Sequence, residues 1–210
     1  MGLRKRWTSR VLLIDKHDRL LLLCGRDPRR DGARWWFTVG GGVEDGEDYV
    51  RAAIREVREE TALRLPADRL GPVVWTRQTL FSVDGQGFDQ YEEYRVARVT
   101  AAEVAAMRVE TDEARYGHRW WPVDELAVTR ETVRPKGMGG LLPPLLGCPS
   151  PGRPPLDLGD FDEDEDPDRH PRRRTARRTR EAGRCGAVRR TAPRRAWWIS
   201  RRSGPASGSA

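Results

Sequence analysis

Residues 41–63 read GGVEDGEDYVRAAIREVREETAL, and the change of period inside them decides the fold. Tyr49, Ala52, Ala53 and Val57 recur near 3.6-residue spacing, Ile54 widens the stripe, and most other positions are charged. That pattern predicts an amphipathic helix over 48–61, with Pro66 a few residues past its end. On it Glu56 and Glu60 stand four apart with Glu59 beside both, so three carboxylates share one end of one face. Like charges so close repel. A solvated acidic helix end is the plain reading; the sharper one is a hard divalent cation, because Mg²⁺ prefers carboxylate oxygens. Arg55, four before Glu59, is placed to orient that carboxylate. The glycines ahead let backbone approach closely at the helix start, where amide N–H groups and the helix dipole favour anions. Metal-holding carboxylates beside such a loop describe a site for phosphate chemistry.

Outward from this helix, apolar runs alternate with turn signals, as in a mixed α/β domain. Val11–Ile14 and Leu20–Cys24 flank a polar Asp15-Lys16-His17-Asp18 and read as a hairpin. Trp35–Val39 is a third run, ended by Gly40-Gly41-Gly42. Val73–Val83 and Tyr91–Val99 are rich in β-branched and aromatic residues and flank Asp84-Gly85-Gln86-Gly87, a hairpin signal. Trp120-Trp121 ends another short strand, Pro122 opens a helix, and Gly137–Leu146 is a last short helix stopped by Pro143-Pro144 or Gly147. Trp35, Trp36, Trp120 and Trp121 suit a core better than a base-stacking role. His17, His118 and His170 are isolated and lack metal spacing.

After Cys148 the pattern fails. Four prolines within seven residues lead to an acidic run over 160–168 and then to Arg-rich sequence. Residues 1–160 hold 25 basic and 25 acidic residues, whereas 161–210 hold 14 and 7, so the whole charge of +7 belongs to the tail. Such a stretch buries too little apolar area to offset its chain entropy and reads as disordered. The expected division is a domain over 5–158 and a disordered, acidic then Arg-rich tail over 159–210. That basic excess gives nucleic acid a route only through the tail; a solvated linker or incidental GC-rich coding accounts for it as well. No apolar run approaches a membrane span, and no stretch near the N-terminus suits a signal peptide. Cys24, Cys148 and Cys185 form no paired motif, which fits a reducing cytosol and a cytoplasmic protein.

The stretch 41–63 resembles the Nudix box of the Nudix (MutT-like) hydrolase family, matching at Gly41, Glu47, Arg55, Glu56, Val57, Glu59, Glu60 and Leu63. Ala62 departs from it, standing where the family has Gly, and Val39 stands where many members have Pro. The resemblance implies the Nudix fold, a mixed β-sheet sandwiched between α-helices. It also implies a pyrophosphohydrolase that cleaves a nucleoside diphosphate linked to another moiety, with Mg²⁺, or alternatively Mn²⁺, activating the attacking water. Nucleoside triphosphates, ADP-ribose and dinucleoside polyphosphates are the candidate classes. Carried over by position, Glu56, Glu59 and Glu60 would hold the metal. As support within the box, Glu47 and Arg55 would hold loop and helix, and Gly41 would contribute backbone near the metal. A further carboxylate outside the box would serve as base, from Glu92, Glu93, Glu110, Asp112 or Glu113. Glu93 is favoured because a strand is rigid, and it would act catalytically with Glu56 and Glu59. Glu92 and Glu93 point to opposite faces, so at most one serves. Arg26, Arg34 and Arg77 are the candidates for binding the substrate's phosphates. A nucleotide-sensing domain without turnover and an RNA 5′-end pyrophosphohydrolase assisted by the basic tail are the competing readings. A homodimer is compatible with the sequence.

Overall fold

The computed structural model describes residues 2–26, 34–83, 85–111, 116–147 and 152–163. Eight strands form one mixed sheet: β1 (Arg4–Ile14), β2 (Leu20–Arg26), β3 (Arg34–Phe37), β4 (Val39–Gly42), β5 (Val73–Val83), β6 (Gln86–Arg98), β7 (His118–Trp121) and β8 (Leu156–Asp162). The main path runs β3-β2-β1-β6-β5-β8, with β4 on β1 and β7 on β2. β1 runs parallel to β6 over its whole length. Its opposite edge is shared, taking β4 from Thr8 to Val11 and β2 at Ile14. Val11–Ile14 and Leu20–Leu23 are fully buried, because both faces of the sheet are covered there. Val11, Leu13, Leu21 and Leu23 face one core, and Leu12, Ile14, Leu20 and Leu22 face another.

The first core is closed by helix α1 (Tyr49–Thr61), whose Ala53 and Val57 are buried against the sheet, and by the flank of α2 (Ala101–Ala106). Asp48 caps α1 by accepting from the Arg51 amide at 2.8 Å, and Thr100 and Glu103 form a capping box on α2. The second core is closed by α3 (Val123–Val128), α4 (Met138–Leu141) and α5 (Pro143–Leu146), through Leu126, Met138 and Leu142. The expected sheet between helices is therefore the architecture found.

Three expectations are corrected. The glycine run does not end the strand but forms β4, because β1 supplies a partner edge to Gly40–Gly42. The last helix is two, α4 and α5; Pro143 occupies the first turn of α5, where its missing N–H costs nothing, and of the two expected stops Gly147 is the one found. The chain after Cys148 also holds structure, since Leu156–Asp162 pairs in parallel with β5. The expected boundary at 158/159 thus falls inside β8; the remainder of the tail, residues 164–210, lies outside the described residues. Among the described residues no helix is long and apolar enough to cross a membrane.

Candidate functional site

The acidic half of α1 faces β4, and the absence of side chains at Gly40, Gly41 and Gly42 is what lets the two meet. Glu60 is buried and accepts from the Gly40 amide at 2.7 Å. A Cβ on Gly41 would stand 2.5 Å from Glu56 Oε1, so glycine is the residue that leaves that carboxylate its place. The expected role of the glycines is thereby revised. They receive carboxylates from the last two turns of α1, rather than opening an anion site at its start.

Arg55 organises the cluster. Its Nε and Nη2 donate to the two carboxylate oxygens of Glu47 at 3.0 and 2.9 Å, a bidentate pair, and Nη2 also reaches the Gly42 carbonyl at 2.7 Å. Nη1 donates to Glu56 at 2.7 Å and to Glu59 at 3.4 Å. Burial opposes ionisation of Glu47, but Arg55 holds its carboxyl below the ordinary range. Glu56 ends on the other side: burial pushes its carboxyl up, against the pull of Arg55 and Arg10 and with a further push from Glu59. A desolvated carboxylate among like charges is stabilised by a cation, and oxygen donors suit a hard divalent ion. Among the described residues no three His, Cys, Asp or Glu side chains stand in metal-holding geometry. The donor chemistry of Glu56, Glu59 and Glu60 fits such an ion, which would compete with Arg55 for oxygens of Glu56 and Glu59.

Arg10 links this cluster to a second one on the sheet face opposite α1. Its Nη1 donates to the Gly40 carbonyl at 2.7 Å, and its Nε lies 3.5 Å from Glu92. Glu92 is 2% exposed; it accepts from Arg77 at 2.7 Å, Tyr94 at 2.6 Å and Gln90 at 2.8 Å. Burial alone would raise its carboxyl, yet Arg77, Arg10 and the Tyr94 hydroxyl pull it down to about 2. So acidic a group is a poor proton acceptor near neutral pH and serves to hold guanidiniums in place. Arg6, two residues before Thr8 on the same strand face, is lowered to about 10 by burial and by the neighbouring Arg10.

Glu93 lies on the other face of β6 and pairs with Arg95 at 2.8 Å, near Tyr49 and Tyr91. The structure therefore brings Glu92, not Glu93, into the chain of contacts that reaches Glu60. Of the three expected arginines, only Arg77 joins that chain. Arg26 and Arg34 are register partners at the ends of β2 and β3. Arg26 stacks over Tyr116, and Arg34 pairs with Glu131 in a groove of about 400 Å³ lined also by Trp36, Arg119, Trp121 and Glu125. Asp112 and Glu113 lie outside the described residues. Arg10 was not singled out by sequence; only its register opposite Gly40 gives it a role.

The family model for the NUDIX domain matches residues 4–139. Among curated proteins, dihydroneopterin triphosphate diphosphatase of Escherichia coli (strain K12) is 36% identical over 81 residues, 38% of this chain and 51% of that protein. The chain thus spans about half the length of the curated relative it matches. Among solved structures, a MutT protein from Bacillus halodurans superposes with a TM-score of 0.52 at 18% identity, over 77% of this chain and 93% of that one. A MutT protein from Methanosarcina mazei Go1 gives 0.51 at 17% identity, over 68% and 93%. At such identities the likeness is one of fold.

Proposed function

Because this chain belongs to the NUDIX domain family, we propose that it is a hydrolase of phosphoric anhydride bonds, acting on a nucleotide-type compound and most specifically on a heteroaromatic triphosphate. The observation that carries this reading is the pairing of Glu56 and Glu60 with Gly40 and Gly41 of β4, beside the half-buried guanidinium of Arg10 and the buried one of Arg77. The named activity of the 36%-identical relative supports the triphosphate class.

Glu56 and Glu60 would hold a divalent cation, Mg²⁺ or Mn²⁺, with Glu59 beside them. That ion would supply charge neutralisation and acidify a water. Glu59, whose side chain is 28% exposed, is the carboxylate of the three best placed to take the water's proton. Glu47 and Arg55 fix the carboxylates before substrate arrives, which spares reorganisation during the reaction. Water attacks one phosphorus, the P–O–P bond breaks, and diphosphate leaves from the remaining monophosphate. Retention of Glu56, Glu59 and Glu60 favours turnover over a purely sensing role.

The test is Glu60→Gln. Its amide oxygen can still accept from Gly40, so the fold is expected to survive. Turnover is expected to fall on the order of 100-fold or more. Diphosphate and phosphate release should be screened with Mg²⁺ over pterin and nucleoside triphosphates, ADP-ribose and dinucleoside polyphosphates. Full activity of the variant on the preferred substrate would sink the assignment.

A further inference from the structure

The first strand carries Arg4, Arg6, Thr8 and Arg10 on the face away from α1, in register with Phe88, Gln90, Glu92 and Tyr94 of β6. Arg10 is fixed there by the Gly40 carbonyl at 2.7 Å and by Glu92 at 3.5 Å, and Arg77 by Glu92 at 2.7 Å. The half-buried Arg6 is not fixed in this way: among the described residues it makes no hydrogen bond and no ion pair. Glu56 and Glu92 act on it only through their fields, while burial and the neighbouring Arg10 lower it to about 10. It therefore stays charged near neutral pH, desolvated and beside a like charge, at a cost to folding. Its guanidinium lies along β4. A Cβ on Gly42 would meet Arg6 Nε and Nη2 at 3.5 Å, so a side chain longer than that of alanine would cover the group. Gly41 thus turns toward Glu56 and Gly42 toward Arg6. Among the described residues β4 pairs with β1 alone, so the edge between these two faces is open.

We infer that Arg6 is a substrate-binding residue, whose guanidinium takes the non-bridging oxygens of one phosphate while the rest of the oligophosphate crosses the open edge of β4 toward Glu56 and Glu60. The planar fork of a guanidinium matches two oxygens of a phosphate, and Arg6 has its donors free for them. Arg10 and Arg77 do not, because both are engaged by Glu92. An anion bound at Arg6 would also relieve its repulsion with Arg10, which no carboxylate at ion-pair distance from Arg6 does among the described residues. The inference deepens the proposed activity and rests on it for the identity of the natural ligand. The alternative role for Arg6 is purely structural, a counter-charge to Glu56 and Glu92, and it predicts a different response of stability.

The experiment uses the full chain with Mg²⁺ and imidodiphosphate, whose P–N–P bridge resists hydrolysis, so that binding is read without turnover. Calorimetry is expected to show binding about tenfold weaker in Arg6→Met, the loss of one charge-assisted contact. Lys5→Met removes the same charge from the neighbouring residue, on the other face of β1, where Lys5 meets Asp89 at 3.4 Å. It is expected to bind within about twofold of the parent, since exposed charges at that remove are screened. In urea without ligand, Arg6→Met should unfold at or above the midpoint of the parent, because a desolvated cation without an ion-pair partner is removed. An affinity of Arg6→Met within about threefold of the parent, an equal loss in Lys5→Met, or no binding by the parent would each overturn the role. A lowered urea midpoint in Arg6→Met would overturn it too, in favour of the structural counter-charge. Full turnover by Glu60→Gln would remove the proposed activity and leave these binding results standing.

Discussion

Gly41→Ala separates the fold from the site. A Cβ at this position would lie 2.5 Å from Glu56 Oε1 and 2.7 Å from its Cδ, where an ordinary contact begins at 3.4 Å. The carboxylate must therefore retreat by about 0.9 Å, the shortfall between those two distances. It can do so, because the obstacle is the end of a side chain and Gly41 has no positive φ to defend. The retreat strains the 2.7 Å bond from Arg55, which costs about 1 kcal/mol of stability. Metal ligation tolerates only about 0.2 Å, and a misplacement near 1 Å costs on the order of 100-fold in rate. The expected result is a small loss in urea unfolding without metal, alongside a large loss of Mn²⁺ affinity by calorimetry and of turnover. Mn²⁺ affinity within twofold of the parent would refute the reasoning, since Glu56 would then not be a ligand set by that glycine. Gly40→Ala is the internal contrast. Its Cβ would meet backbone, the Ser9 carbonyl at 2.2 Å and Arg10 Cα at 2.8 Å, at φ +128, so it should fail by unfolding instead.

Two further outcomes follow from caps. Ala62 ends α1 in the left-handed region, at φ 60 and ψ 4, with its N–H bonded to Arg58; Ala62→Gly should raise stability by about 1 kcal/mol in urea melts, and a loss would mean that unfolded-chain entropy dominates. Glu103 is held at about 2 by the Arg69 guanidinium first and then by the Thr100 amide. Its folded value lies below its unfolded one, so its stabilisation is present above about pH 4.5 and is lost as pH falls toward 2. Glu103→Gln should therefore be less stable at pH 7 by about 1 kcal/mol, after allowance for solvent screening, and the gap should narrow between pH 4.5 and 3. A gap that ignores pH refutes the linkage.

The strands and helix that sequence makes legible are those whose side chains repeat against one core. β1 and β2 announce themselves through Val11–Ile14 and Leu20–Leu23, and α1 through Ala53 and Val57. β8 does not, because LDLGDFD holds three Asp and a Gly that disfavour strands; its order comes from the otherwise open edge of β5. α2 carried a readable signal in Thr100 and Glu103, a capping box, but six residues give no period. At the site, the box residues 41–60 were legible because they lie in one helix and one strand. The choice between Glu92 and Glu93 was not. Alternation puts them on opposite faces, but both faces of β6 are covered, so no pattern tells which one meets Arg10 and Arg77. Arg10 and Arg77 come together on Glu92 only through strand register.

The placement of the acids on α1 argues for their use. Glu59 and Glu60 occupy the last turn of a helix that ends at Thr61, where the partial negative charge of the unpaired carbonyls disfavours anions. Glu60 is also buried, and Glu56 is desolvated enough to raise its carboxyl. Each of these terms opposes folding, and the compensations within the chain include the Gly40 amide for Glu60, Arg55 for Glu56 and Glu59, and Arg10 for Glu56. A single guanidinium is shared among three carboxylates, since Arg55 also binds Glu47 in bidentate fashion. Four carboxylates thus crowd the space between α1 and β4. A helix selected for stability alone would carry Lys or Arg in its last turn, as Arg58 already does. In the proposed site a bound cation would recover the repulsion among these carboxylates that folding had to overcome.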